Sequence, residues 1–396
     1  MRFVTVVTLV LVWALALVTG QQLDPLERAH TAIHYSRPSN DPLASRLRSS
    51  DAISRLKSDG PSGHLRSILD ALDIPVSSQI MVFSQGSVQS GLIRASNPRA
   101  LYFNDSAVVG WVRGGFIEIA AQDPEQGTVF YTVNANWLGR PSISRSDDCL
   151  SCHHSNRTNG VAGMIEPMGQ ARPLERRWGG WYVTGDVGSI EHFGNVDVAT
   201  LTSGAAAPKT VRLTSLDTTF DARGYLTTSS DIAALMVFEH QMQMMNLLTR
   251  VGWETRIARQ EGRLQNGAAI REAVEQLVDY MLFVGEAPIA SPMKGGSGFA
   301  EAFSARGPND SKGRSLRQLD LRTRLFRYPC SYLIYSPQFE RLPAEAKAAV
   351  YSRLWAILSG KVAGAQYRQL SAVDRRAVIE ILRDTKPDLP TYFRGA

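Results

Sequence analysis

The stretch from residue 100 to residue 133 reads ALYFNDSAVVGWVRGGFIEIAAQDPEQGTVFYTV, and it decides the fold of the first half of the chain. Short runs rich in β-branched and aromatic residues alternate here with turn formers such as Gly114-Gly115. With similar runs on either side, the predicted strands cover residues 79–83, 100–103, 108–112, 116–121, 128–133 and 179–184. The spacing of the first five, with turn formers between them, predicts an antiparallel meander.

The second half of the chain has a different pattern, with apolar residues at helical spacing from Ser230 onward. Ser371 and Asp374 supply an N-cap and an acid three residues later, and they open a last helix that Pro387 ends. The helices predicted in this half cover residues 231–250, 270–283, 344–358 and 371–383. The sequence therefore predicts an α+β fold, with a β-rich N-terminal half followed by a mainly helical C-terminal half.

The first twenty residues have the pattern of an export signal. Arg2 is a short positive region, residues 3–18 form an uncharged apolar run, and Val18-Thr19-Gly20 offers small residues for cleavage. An uncleaved membrane anchor is the alternative, although an apolar run of this length is short for a bilayer. We expect residues 1–20 to be a signal peptide and the mature chain to be periplasmic, without a membrane span.

The composition is that of a soluble globular protein, with 44% hydrophobic and 20% charged residues among 396. Lys and Arg number 43 against 37 Asp and Glu, which leaves a net charge of +6. This mild surplus suits an acidic partner or an anionic membrane surface without deciding between them. We find no nucleic-acid-binding motif, and three cysteines are too few for a disulfide framework.

Two of the three cysteines lie in the segment Cys149-Leu150-Ser151-Cys152-His153. A c-type haem needs two thiols to add across its vinyl groups and an imidazole to bind the iron. Two intervening residues match the vinyl spacing when the segment turns like a helix, and the next residue then points its imidazole at the iron. Downstream of an export signal, this pattern predicts one covalent haem c, held by Cys149 and Cys152, with His153 as an iron ligand.

Two other chemistries compete for the same residues. A zinc site would need a second ligand pair, and Cys330 alone does not complete a set of three cysteines and a histidine. A thioredoxin-like dithiol would need a βαβ context, which the surrounding pattern lacks. Neither alternative explains why His153 follows the second cysteine directly.

The second axial ligand of the iron is left open among several residues. His192 lies in a glycine-flanked loop that could bring its imidazole back over the ring, and His240 lies within a predicted helix. Met164 and Met168 are further candidates, because methionine ligation is common in electron-transfer cytochromes. An open or water-bound position is the remaining alternative.

Two further residues are candidates for contacts with the haem. Arg177 could pair with a propionate, because a guanidinium group binds a carboxylate in a bidentate fork. Trp181 could pack against the haem ring. The alternatives are a solvated basic loop for Arg177 and an ordinary core position for Trp181.

Three segments read NPRALYFND at 97–105, RWGGWYVTG at 177–185 and EHQ at 239–241. In these segments, and through most of the mature chain, the protein resembles a family of exported bacterial proteins described as cytochrome c domain-containing. The resemblance implies one haem per chain, with electron transfer as the expected role and no defined substrate. It also implies histidines matching His192 and His240, which ranks these two above the methionines. The histidines that relatives carry at Asp186-Val187 and Met245 are missing here, so those positions are poor candidates for essential ligands.

Together these features predict a periplasmic protein that transfers electrons through a single haem c, with a redox partner protein. The alternatives are a haem enzyme of the peroxidase type acting on a small oxidant, and a haem-based sensor. The expected regions are a signal peptide (1–20), an N-terminal α+β region (21–145), a haem-binding segment (146–228) and a helical region (229–396).

Overall fold

A computed structural model describes residues 31–84, 86–135, 139–165, 169–196 and 209–394. The predicted signal peptide and Met168 lie outside these residues. In the part of the chain that is described, no helix is both long enough and apolar enough to cross a membrane.

Seven strands form one antiparallel sheet in the order β6-β5-β4-β3-β2-β1-β7. They are β1 (Ile80–Val82), β2 (Arg99–Phe103), β3 (Ala107–Trp111), β4 (Ile117–Asp123), β5 (Gly127–Ala135), β6 (Pro141–Arg145) and β7 (Trp181–Tyr182). Strands β1 to β5 each pair with the next strand along the chain, which confirms the predicted meander. Strand β6 was not predicted, because its sequence is polar and its side chains are half-buried or exposed.

The α-helices follow the predicted division of the chain, and the α+β class is confirmed. They include α1 (Pro42–Arg46), α2 (Ser50–Ser54), α3 (Leu65–Leu72), α4 (Leu150–His153), α5 (Ile232–Gln260), α6 (Ala268–Met281), α7 (Phe299–Ala305), α8 (Pro337–Glu340), α9 (Ala344–Leu358) and α10 (Ala372–Thr385). Helix α5 starts at Asp231, whose carboxylate accepts two backbone N–H groups, and it runs ten residues past its predicted end. Helix α10 has the predicted capping box of Ser371 and Asp374.

One face of the sheet is an apolar core. Because side chains alternate along a strand, Tyr102, Val109, Ile119 and Tyr131 form a continuous row across β2 to β5 on this face. Buried residues of α1, α3 and the segment 216–225 pack against it. The N-terminal helices therefore complete the core on this side.

On the other face of the sheet, the part formed by β1, β2 and β7 packs against α5. The ring of Phe238 on α5 lies 5.2 Å from that of Phe103 and 6.4 Å from that of Trp181. The same hydrophobic cluster continues through α6, α9 and α10. The sheet and the C-terminal helices therefore share one core, which crosses the expected boundary at residue 229.

Candidate haem site

The Cys-x-x-Cys-His segment forms one helical turn directly after the edge strand β6. A 3-10 turn (Asp147–Cys149) leads into α4, and Cys149 itself has helical dihedral angles, φ −60° and ψ −26°. Cys149 and Cys152 therefore lie one turn apart on the same side, as the spacing argument requires. Both are free thiols; Cys149 is half-buried and Cys152 is exposed.

Leu150 anchors this turn to the protein. It is buried in a small hydrophobic cluster with Phe130 of β5, Val161, Ala162 and Trp253 of α5. Burial of a leucine side chain contributes roughly 2 kcal/mol. Because Leu150 turns inward, the turn is fixed while Cys152 stays at the surface.

The imidazole of His153 is oriented by a backbone carbonyl. Its Nδ1 lies 3.0 Å from the carbonyl oxygen of Gly163, so we assign the ring proton to Nδ1. The ring of Phe130 packs against it at 4.7 Å, and burial lowers the pKa of His153. A neutral imidazole with its proton on Nδ1 offers the lone pair of Nε2, as an axial iron ligand must.

The loop after His153 is closed by its own hydrogen bonds. The N–H of Gly163 donates to the carbonyl of His153 at 2.9 Å, and Ser155 and Thr158 form a capping box. The hydroxyl of Thr158 donates to the carbonyl of Val161 at 2.7 Å. These contacts fix the Gly163 carbonyl relative to the ring that it orients.

An ion pair that sequence analysis missed lies on the sheet beside this turn. Arg99 and Glu118 approach to 2.5 Å, and their side chains are only 20% and 16% exposed. A Cβ at Gly110 would lie 2.6 Å from the Arg99 guanidinium, so the glycine leaves room for it. Arg99 and Glu118 both act on the pKa of Cys149, which burial of the thiol chiefly raises. The pair is visible only once the strand register is known.

Arg177 and Trp181 lie in the main core. The buried Arg177 donates to two backbone carbonyls and lies 3.3 Å from a carboxylate oxygen of Glu239. The indole N–H of Trp178 donates to the other oxygen at 3.1 Å, and burial raises the pKa of Glu239 to about 7. These contacts occupy Arg177, while Trp181 packs between the sheet and α5, so the structure brings neither residue to the turn of Cys149, Cys152 and His153.

His192 is buried beside Trp178, with its ring 5.3 Å from the indole. Its Nδ1 accepts the N–H of Gly194 at 3.0 Å, and burial lowers its pKa to about 4. An imidazole that accepts at Nδ1 carries its proton on Nε2. His192 would have to break this hydrogen bond before it could bind iron through Nε2.

His240 is a core histidine in this structure. It is 2% exposed, its ring stacks on Phe283 at 4.4 Å and on Tyr280 at 5.3 Å, and burial lowers its pKa to about 3. Its Nε2 lies 2.8 Å from the hydroxyl of Ser331. The structure thus places His240 and His192 in the main core rather than with His153, and their role as iron ligands stays a prediction.

Met164 follows Gly163 directly, and both of its backbone groups bond to the side chain of Asn246. The backbone of Met164 therefore follows the carbonyl that bonds to Nδ1 of His153, away from Nε2, the atom that would bind the iron. Met168 lies outside the described residues. The second axial position stays open among the predicted candidates.

Cys330 lies in the main core, whereas Cys149 packs against the small cluster around Leu150. Burial raises the pKa of Cys330 to about 12, which keeps it a neutral thiol. Within the described ranges, no three His, Cys, Asp or Glu side chains are grouped to hold a metal ion by themselves. The turn of Cys149 and Cys152 follows an antiparallel edge strand, which is not the βαβ setting of a thioredoxin-like dithiol.

The comparisons with known proteins find no relative: no family model, no curated protein and no solved structure matches this chain. The resemblance to exported cytochrome c domain-containing proteins therefore stays a prediction. The function proposed below therefore rests on the side chains and hydrogen bonds of residues 149–163.

Proposed function

We propose that this protein is a periplasmic haem c protein that transfers electrons through one covalently bound haem. The observation that supports this most strongly is the state of His153, whose Nδ1 is bonded to Gly163 while Nε2 is left to bind iron. The same helical turn carries two free thiols at the vinyl spacing. This donor set fits haem c, which supplies a reversible one-electron iron couple when bound.

Each residue of the turn has a role in this proposal. Cys149 and Cys152 would hold the ring by thioether bonds, and His153 would bind the iron on one side. Phe130 restricts rotation of the imidazole. Arg99 is already paired with Glu118, but its Nε is buried without a hydrogen-bond partner among the described residues, so this one N–H could still donate to a haem carboxylate.

The exposed position of Cys152 supports electron exchange with a partner protein. A haem held through Cys152 would be within reach of a redox partner that docks at this surface. The proposal includes export, because haem attachment of this type takes place outside the cytoplasm in bacteria. Residues 1–20 would supply the signal for it.

A second candidate function is a haem enzyme of the peroxidase type, or a sensor, acting on a small oxidant. One observation favours it: the imidazoles of His192 and His240 are both bonded elsewhere in the core. If neither binds iron, the second axial position is exchangeable, and a small molecule can occupy it. Such a position is what haem catalysis requires.

Visible absorption spectra in both redox states, with and without carbon monoxide, test the proposal against this alternative. A carrier is expected to give a low-spin spectrum and a reversible one-electron couple, and carbon monoxide should change the spectrum little. A high-spin spectrum with rapid carbon monoxide binding and turnover of peroxide would overturn the electron-transfer proposal in favour of the enzyme.

Alanine variants at His192 and His240 test the role of these residues as ligands. Since both imidazoles are engaged in the core, we expect both variants to keep the spin state of the parent protein. The measurement is the ferric absorption spectrum of each purified variant. Conversion of a low-spin parent to a high-spin form in one variant alone would identify that histidine as the second axial ligand.

A further inference from the structure

Asn246 of α5 connects the long helix to the haem segment. It is fully buried, and its side-chain amide pairs with the backbone of Met164 as a neighbouring strand would. The N–H of Met164 donates to its Oδ1 at 2.9 Å, and its Nδ2 donates to the carbonyl of Met164 at 2.7 Å. Both functions of the amide are therefore used on one residue of the loop, 82 positions away in sequence.

Gly163 lies between this amide and His153. Its carbonyl accepts from His153 Nδ1 at 3.0 Å, and its N–H donates to the His153 carbonyl at 2.9 Å. A Cβ on Gly163 would lie only 2.2 Å from Oδ1 of Asn246. Asn246 of the helix therefore contacts the Gly163–Met164 backbone, and Gly163 contacts His153. There is no room for a side chain on Gly163 between them.

We propose that Asn246 is a positioning residue that keeps His153 in its Nδ1–H state by fixing the Gly163–Met164 backbone. The inference rests on the proposed function, in which His153 binds iron through Nε2. A hydrogen bond from the distal ring nitrogen to a carbonyl makes the imidazole a stronger donor and holds its orientation. By fixing the accepting carbonyl, Asn246 would tune the iron without touching the haem.

The reduction potential of the holoprotein is the first measurement. In Asn246→Ala the Gly163 carbonyl loses its support, so the hydrogen bond to Nδ1 weakens and the imidazole donates less to ferric iron. Loss of such a contact typically costs about tenfold in metal affinity. If the loss falls on the ferric state, the potential rises by about 59 mV.

Gln243→Ala is the matched control, because it removes a contact from the same helix to the same loop. The Oε1 of Gln243 accepts from the side chain of Asn159 at 3.1 Å, a hydrogen bond that does not involve Gly163 or Met164. The control should keep the parent potential. If Asn246→Ala does not fold, Asn246→Asp is the second variant, since a carboxylate can accept from Met164 but cannot donate to it.

The tautomer of His153 is the second measurement, made by nitrogen NMR on the haem-free full-length chain. The parent should show the proton on Nδ1, and Asn246→Ala should show a mixture of tautomers. An unchanged tautomer and an unchanged potential, with stability lowered alone, would overturn the proposal and leave Asn246 a structural residue. A changed tautomer in a chain that never attaches haem would instead overturn the proposed function and keep Asn246 as the residue that positions His153.

Discussion

Serine in place of both Cys149 and Cys152 should abolish covalent haem attachment, while the chain still folds. The two thiols lie one helical turn apart; Cys152 is exposed and Cys149 is half-buried, so the attachment machinery can reach this turn from the surface. Serine cannot form the thioether bond, and neither side chain contributes to the main core. The measurement is haem staining of the denatured protein after expression with a cytochrome c maturation system.

Cys330→Ala is the control for this variant, because it removes the third cysteine from the main core. It should keep the full haem stain, although it lowers stability by leaving a small cavity. Single variants at Cys149 or Cys152 should retain weaker attachment through one bond. Covalent haem in the double variant, or its loss in the Cys330 variant, would contradict the assignment of the attachment site.

Acid should destabilise the protein through His240. Its pKa is about 3 in the fold against 6.5 in an unfolded chain, and burial is the cause. A depressed pKa contributes stability that is present above pH 6.5 and is lost as the pH falls toward 3, because only the unfolded chain then takes up the proton. The loss amounts to about 1.4 kcal/mol per pH unit in this window.

His240→Phe should remove this part of the pH dependence. Phenylalanine can keep the stacking on Phe283 and Tyr280, but it cannot take up a proton. Between pH 6.5 and pH 5 the parent should lose about 2 kcal/mol more of its free energy of unfolding than the variant does. Denaturant titrations at the two pH values measure the difference.

Two other buried groups, His192 and Glu239, also contribute to the pH dependence of the free energy of unfolding. With a pKa of about 4, His192 should contribute a smaller total loss in acid than His240 does. Glu239 acts in the opposite direction, because its pKa is raised to about 7 and the stability of its neutral form is lost as the pH rises toward that value. An equal acid-induced loss in His240→Phe and the parent would show that His240 is not buried in the native protein.

The meander could be predicted because its strands carry a strong local signal. The runs that became β2 to β5 are rich in β-branched and aromatic residues and end at turn formers. Strand β6 carries no such signal, and it forms because β5 offers a free edge next to it. The capping box of Ser371 was equally local and was confirmed.

The helical turn of Cys149, Cys152 and His153 could be predicted from the sequence, but the contacts that support it could not. The spacing of Cys149, Cys152 and His153 requires a helical turn, which the structure has. The contact of Asn246 with Met164 joins residues 82 positions apart, and no local pattern indicates it. The Ser331 partner of His240 is 91 positions away in sequence. From the sequence alone, a buried core histidine at this helical position could therefore not be distinguished from an iron ligand.

One measurement tests the central claim most directly: mass spectrometry of the peptide 146–157, released by trypsin at Arg145 and Arg157 from protein expressed with a cytochrome c maturation system. The proposal predicts that this peptide carries one haem, bound through Cys149 and Cys152, in nearly every molecule. A peptide without added mass, together with haem that acid–acetone extracts or with no haem at all, would contradict it.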